Sequence, residues 1–431
     1  MTRVLSIAGV VCIIAAGCLA APPKNRKLVF HGAKGFGVDT PAGRGGKVIR
    51  VTNLNSDGAG SFRQALETKG PRIVVFEVGG VIDLGAKSIA ISEPFCTIAA
   101  QTAPSPGITL IRGGMYISTH DVLVRHLRVR PGDAGKSKRS GWEPDGISTS
   151  GPNAYNIVID HCSISWAVDE NLSASGPRTE GPEATSRRIT FSNCIIAECL
   201  DNSSHAKGRH SKGSLIHDFC RNIAIIGNLY AHNARRNPYF KAYTTGVIVN
   251  NVIYNPGAAA VQLNYSDGEW RATKFKPVNC RVAIVGNVMI HGKNTRGNLA
   301  MIARRGDAYI RDNIAVDKTG KPAPLTGGRI NKLKDPPVWP AGLTPLPAKD
   351  AAAHVVRYAG ARPTDRDKTD KRIIGDFQRR KGRIIDSQDE VGGYAKPKST
   401  KRKLKIPTRP AEIEVWLNRL AVELEGTHRR E

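Results

Sequence analysis

Residues 157–165 read IVIDHCSIS, 189–197 ITFSNCIIA, 223–231 IAIIGNLYA, 247–255 VIVNNVIYN and 282–290 VAIVGNVMI. Each is a short β-branched run, a polar residue, then a second apolar run. The phrase also stands at 122–130 (VLVRHLRVR) and 309–316 (YIRDNIAV). Its polar residue is in turn His126, His161, Asn193, Asn228, Asn251, Asn287 and Asn313, at gaps of 35, 32, 35, 23, 36 and 26 residues. Irregular repeats of this length, with strand-type runs and no helical pattern between them, indicate a solenoid whose rungs carry variable loops. The all-β arrangement that fits is a parallel β-helix. Strands stack about 4.8 Å apart, so each position meets its counterpart one rung away. Ile and Val then form aliphatic stacks, and an Asn at a recurring bend passes amide hydrogen bonds along the pile. An antiparallel sandwich or propeller needs tight hairpin turns between neighbouring strands, whereas the connections here are longer and irregular.

Upstream, VIRVTNL, RIVVFEVGGVIDL, CTIAAQT and ITLIRGGMYI read as earlier rungs, and Gly-rich 30–47 as a loop entering the stack. Downstream the pattern stops near 317. The solenoid is therefore placed at 28–316 and a loop-rich C-terminal extension at 317–431. Within the extension, 396–405 (KPKSTKRKLK) reads as a solvated basic run. Thr408-Arg409-Pro410 opens a helix with Ile413, Trp416, Leu417, Leu420 and Leu424 on one stripe, suited to covering a side of the solenoid. Residues 1–21 have the layout of a secretory signal peptide: Arg3, an apolar run, then small residues at Ala20 and Ala21. The alternative for this segment is a lipoprotein signal anchored through Cys18. With Cys12 and Cys18 set aside, Cys96, Cys162, Cys194, Cys199, Cys220 and Cys280 remain. None has zinc spacing, and they read as buried packing residues, with disulfides as the alternative in an exported chain.

The 64 Lys and Arg against 37 Asp and Glu give a formal net charge of +27. This points to an anionic partner. A secreted chain without an aromatic-interleaved basic motif or a reader fold is no nucleic-acid binder. No further apolar stretch is long enough for membrane insertion, and a monomer is expected. An acidic polysaccharide is left.

Three acidic motifs fall near the middle rungs: Glu143 and Asp145 in WEPDG, Asp160-His161, and Asp169-Glu170. If adjacent rungs stack, Asp145, Asp169 and Glu170 meet on one face, a set of hard oxygen ligands suited to Ca²⁺. Scattered surface acids are the plain alternative. Basic residues follow on the next rungs, from Lys207 to Lys212 and from Arg235 to Lys241. Tyr230, Tyr239, Tyr254 and Trp166 are candidates for stacking on sugar rings, or for aromatic packing.

The phrases DGIST…NIVIDHCSISWAVDE (145–170) and NLYAHNARRNP…VIVNNVIYN (228–255) resemble the blocks of family 1 pectate lyases, over roughly residues 28–316. VVRYAGARPTDRDKTDKRIIGDFQ…EVGGY resembles a segment near the end of some bacterial members, so a secreted bacterial type is expected. The resemblance implies a right-handed parallel β-helix that binds polygalacturonate with Ca²⁺ and cleaves it by β-elimination, giving 4,5-unsaturated products. It implies Asp145, Asp169 and Glu143 as metal ligands, with Glu170 available for a carboxylate that the family carries where this chain has Ser173. It implies Lys212 for binding substrate carboxylate and Arg236 as the base. Lys241 stands at the second arginine of the R-x-P-x-x-R block, keeping the charge but losing the bidentate fork.

Two rival functions use the same residues. A β-helix glycoside hydrolase would employ paired carboxylates such as Asp169-Glu170, but leaves Arg236 and Lys212 without work. A non-catalytic β-helix that binds acidic polysaccharide would explain the Ser173 and Lys241 departures.

Overall fold

The quoted runs pair in parallel with their counterparts one rung away. The structure, a computed structural model, describes residues 27–427. The expected signal segment, with Cys12 and Cys18, lies outside these residues. Ile157 is in register with Val122 on one side and Ile189 on the other, and Ile189 with Ile223. Two positions along, Ile159, Phe191, Ile225, Ile248, Ile284 and Ile310 form a second file. These side chains are the inward, largely aliphatic stacks, and most are fully buried in one core running the length of the coil. Burying a branched side chain contributes about 1.5–3 kcal/mol, so the stack itself is the main source of stability.

The strands form ladders around this core. A first ladder runs from Lys47–Val51 through Tyr155–Asp160 and Arg221–Ile226 to the second half of Ile302–Arg311. A second runs from Val78–Asp83 through Ser163–Ser165 and Leu229–Ala231 to Ile314–Val316. A third holds shorter strands, among them Met115–Ile117, Ile147–Ser150, Leu172–Ser175, Leu215–Ile216 and Tyr239–Phe240. The chain is a right-handed parallel β-helix.

The bend between the first and second ladders explains the repeated polar residue, with a shift of one position. His126, His161, Asn193, Gly227, Asn250, Gly286 and Asp312 all occupy left-handed backbone at the corner. The amide column stands one residue later. Asn228 Nδ2 donates to Asn251 Oδ1 (2.9 Å), Asn251 Nδ2 to Asn287 Oδ1 (2.9 Å), and Asn287 Nδ2 to Asn313 Oδ1 (3.0 Å). Cys194 N donates to Asn228 Oδ1 at 2.7 Å, where the column gives way to buried free Cys194 and Cys162. His126, His161 and Asn193 thus belong to the corner rather than to the column.

Gly-rich 30–47 lies along the outer face of the first ladder instead of entering the stack. Thr190 Oγ1 donates to Phe36 O at 2.7 Å. Gly37 has φ +71°, and a Cβ there would meet Arg188 O at 2.3 Å, so only glycine allows this approach.

Four helices of the described residues sit outside the coil. The short α1 (Phe62–Glu67) is capped by Ser61. α2 (Ala348–Tyr358) and α3 (Lys368–Arg379) place Ala351, Val355, Ile373 and Phe377 on Leu229, Val252 and Tyr254, covering the second ladder. α4 (Pro410–Glu425) starts with proline in its first turn and stops at left-handed Gly426. Its Ile413, Trp416 and Leu417 cover Ile73, Val75 and Ala99 of the first ladder, as the apolar stripe implied. A strand at Thr326–Lys332, inside the expected loop-rich extension, pairs with Ile302–Arg311 and ends the pile on a charged edge.

Candidate active site

The candidate residues sit at the turn from the second ladder into the third. Ile147 pairs with Leu172, which puts Asp145 level with Glu170. Glu170 bridges in parallel to Lys212, and Lys212 to Arg235. Two acids and two bases from rungs far apart in sequence therefore form one row. Gly146 makes the first step possible: a Cβ there would lie 2.1 Å from Ile164 Cγ2. A second amide chain lies beneath the row. Asn171 Nδ2 donates to Asn233 Oδ1 (3.2 Å), and Asn233 Nδ2 to Asn237 Oδ1 (3.1 Å). The repeated phrase carried no sign of it, because these residues lie in the loops.

Asp145, Asp169 and Glu170 each offer a carboxylate oxygen, and these oxygens lie within 4.8 Å of one another. Asp145 accepts from Glu170 N and from Ser173 Oγ, both at 2.9 Å. Ser173 is thus hydrogen-bonded to an acid of the trio. Burial and the neighbouring Asp169 charge push the Asp145 carboxyl up to about 7. Asp169 is raised by burial but lowered more by its His210 hydrogen bond and by nearby cations, for a net depression. Crowded carboxylates with one ionisation held back are what a bound hard dication would relieve, and all-oxygen ligands fit Ca²⁺.

Glu143 does not join the trio. Its Oε1 accepts from Ala206 N at 2.7 Å and lies 3.3 Å from His205 Nδ1.

Arg236 takes left-handed backbone (φ +60°), and its guanidinium is salt-bridged to Glu170. Burial lowers its pKa, against the opposing charges of Asp169 and Asp145. Lys212 Nζ is 2.6 Å from His210 Nδ1, and burial pushes the ammonium down to about 8. Lys241 is buried one strand further on. Its Nζ is 3.2 Å from Asp218 and also pairs with Glu269, acids that Arg178 shares. Trp166, Tyr230 and Tyr254 are fully buried and cannot stack on a sugar, whereas Tyr239 lies beside Arg236. His205 and His210 escaped the sequence reading as site residues: a histidine in a basic loop signals nothing until the rungs are stacked.

Asp160 and His161 lie elsewhere, at the turn between the first and second ladders. Asp160 holds Arg125 (2.9 Å) and His161 (2.7 Å), beside a cavity of about 330 Å³ that Glu425 of α4 helps to line.

No family model matches the chain. A probable pectate lyase C of Aspergillus flavus is 33% identical over 387 residues, which is 85% of this chain and 81% of that protein. A probable pectate lyase C of Neosartorya fischeri is 33% identical over 385 residues, again 85% and 81%. Both relatives are fungal, so the expected bacterial type does not follow from them. Jun a 1, the major allergen from cedar pollen, superposes with a TM-score of 0.54 at 16% identity, covering 75% of this chain and 91% of its own; that likeness speaks for the fold. No helix of the described residues is long and apolar enough to cross a membrane. Identity at this level over four-fifths of the fungal relatives, on a chain folded as a β-helix, decides the family: the chain belongs to the pectate lyases, a family of polysaccharide lyases.

Proposed function

We propose that the chain cleaves polygalacturonate by Ca²⁺-dependent β-elimination, as a secreted monomer acting on an acidic polysaccharide. The observation that carries this reading is the set of groups at this turn: three convergent carboxylates, with Arg236 salt-bridged to Glu170 and Lys212 one rung from Glu170. Asp145, Asp169 and Glu170 are the residues to hold the ion. When bound, Ca²⁺ supplies charge that offsets the uronate carboxylate and makes the adjacent C5 proton more acidic.

The chain's own residues do the rest. Lys212 binds the substrate carboxylate as an ammonium and stabilises the enolate-like charge that develops on it. Arg236, in its neutral form, takes the C5 proton. The C5–H electron pair becomes the C4–C5 double bond, and the C4–O4 bond breaks, with the leaving sugar oxygen carrying off its pair and taking a proton from solvent. Free arginine is always protonated near neutrality, so burial of Arg236 is the requirement that this base must meet. Lys241 reaches substrate only by giving up Glu269, the more exposed of its two acids. Absorbance of the unsaturated product from polygalacturonate is the test. It should appear with Ca²⁺, vanish with EGTA and return with added Ca²⁺; reducing ends without absorbance would mean hydrolysis instead.

A further inference from the structure

Beside the oxygen trio lies a cluster of another kind. Asp169, His205 and His210 offer ligand atoms that all lie within 4.8 Å of one another. His210 Nε2 is 2.6 Å and His205 Nε2 3.8 Å from Asp169 Oδ1. The two imidazoles stack with centroids 3.5 Å apart. Both are buried, while the Asp169 side chain is 33% exposed and leaves an ion a way in.

His205 adds an independent pointer. Its side chain is 1% exposed, and its Nε2, on the side of Asp169, has no hydrogen-bond partner. An orphaned buried nitrogen is costly, and native folds seldom leave one without a reason. On the other edge of the ring, Nδ1 accepts from Lys207 N at 3.1 Å and lies 3.3 Å from Glu143 Oε1. A ligating histidine usually gives its second N–H to a carboxylate, which fixes the ring and its tautomer. Glu143, turned away from the trio, is the carboxylate in reach of Nδ1 when an ion on Nε2 shifts the ring proton there and Nδ1 releases Lys207 N.

We propose that Asp169, His205 and His210 form a site for a borderline dication of the Zn²⁺ class, with Glu143 as the carboxylate behind His205. Two imidazoles and one carboxylate suit Zn²⁺, whereas Ca²⁺ takes oxygen ligands. The site shares Asp169 with the trio and His210 with Lys212. Loading it withdraws both from those partners, so the ion antagonises the lyase; this consequence, though not the site, rests on the proposed function.

Calorimetric titration of the purified full chain with Zn²⁺ alone, without Ca²⁺ or substrate, tests the site. A single equivalent should bind, and His205→Gln and His210→Gln should each abolish it. Glu143→Gln should weaken it about 10–100-fold. Asp145→Asn, altered only in the trio, should bind as the wild type does. Co²⁺ in place of Zn²⁺ should give a ligand-field spectrum that His205→Gln loses, with circular dichroism confirming that each variant is folded. Absence of uptake by the wild type, or unchanged uptake by the folded histidine variants, overturns the site. A chain that binds Zn²⁺ in this way yet forms no unsaturated product upholds the site and refutes the lyase reading. An active lyase that takes up no Zn²⁺ does the reverse.

Discussion

Arg236 is salt-bridged to Glu170, and Glu170 is also one of the three acids whose oxygens converge. One carboxylate thus serves two cations. Held by the guanidinium, it is only partly available to an ion; engaged by an ion, it leaves Arg236 less tied to its protonated form. Glu170→Gln and Arg236→Ala should therefore fail differently. The first should raise the Ca²⁺ concentration needed for half-maximal rate. The second should lose about 10²–10⁴ in rate at any Ca²⁺ level, the usual contribution of a positioned base. Initial rates on polygalacturonate across a Ca²⁺ series check both, and undiminished activity in Arg236→Ala removes the base assignment.

The pH profile should lie on the alkaline side. Arg236 must be neutral to accept a proton, and burial lowers its pKa from the ordinary arginine value without removing the opposing pull of Asp169. Rate should climb as pH rises through neutrality. Lys212 must be charged, and burial pushes it down to about 8, so its deprotonation should bend the profile over. Lys212→Arg, which stays charged at every accessible pH, should move that downturn upward if the variant still binds. Rates over pH 5–11 decide it, and a maximum near 5 contradicts Arg236 as the base.

How far the sequence foresaw this follows from what each feature depends on. The β-helix was legible because Ile and Val recur with every rung, and the core needs nothing else. Asp145, Asp169 and Glu170 were legible as neighbours because stacking brings equivalent strand ends together. Glu143 was not, since its side chain accepts from Ala206 N in a loop that the sequence pattern does not place. Asn228, Asn251, Asn287 and Asn313 were legible as the amide column, but His126, His161 and Asn193, one position earlier at the corner, were read into the same series because Asn serves equally in both places, as Asn250 and Asn251 do side by side. α2 and α3 passed unnoticed among mixed charges; their apolar faces are short, and Asp367, the cap of α3, also pairs with Arg130 of the coil. The strand at Thr326–Lys332 carries two glycines and four polar or charged residues, no pattern that marks a strand.

The amide column gives a stability prediction independent of catalysis. Asn251 is fully buried; its Oδ1 accepts from Asn228, and its Nδ2 donates to Asn287 and to Ile225 O. Asn251→Ala strands partners on both sides and should cost about 1–3 kcal/mol for each buried group left unsatisfied. Asn313 is half-buried at the end of the column, so Asn313→Ala should cost less. Thermal melts of the two variants compare them directly. Equal losses would show that the column does not act through its buried members.

α4 should detach at both ends of the pH scale. Glu425 at its C-terminal end pairs with Arg125 (2.5 Å) and lies 3.4 Å from His126 and 3.6 Å from His161. Burial raises the Glu425 carboxyl, but the His161 and Arg125 charges outweigh it and hold it at about 2. A depressed carboxylate stabilises the fold fully above its ordinary value of 4.5, and that contribution fades as pH falls from there towards 2. His161 runs the other way: burial lowers it, but Asp160 and Glu425 raise it further, above its ordinary 6.5. Its contribution is complete below 6.5 and is lost as pH rises through the raised value. The helix should be held best between these limits. Hydrogen exchange of residues 410–425 should slow to a minimum there, once corrected for intrinsic rates, and quicken below about 4.5. Glu425→Gln should flatten the acid limb and leave the coil's own exchange unchanged. An acid limb that persists in this variant would place the pH sensitivity somewhere other than this latch.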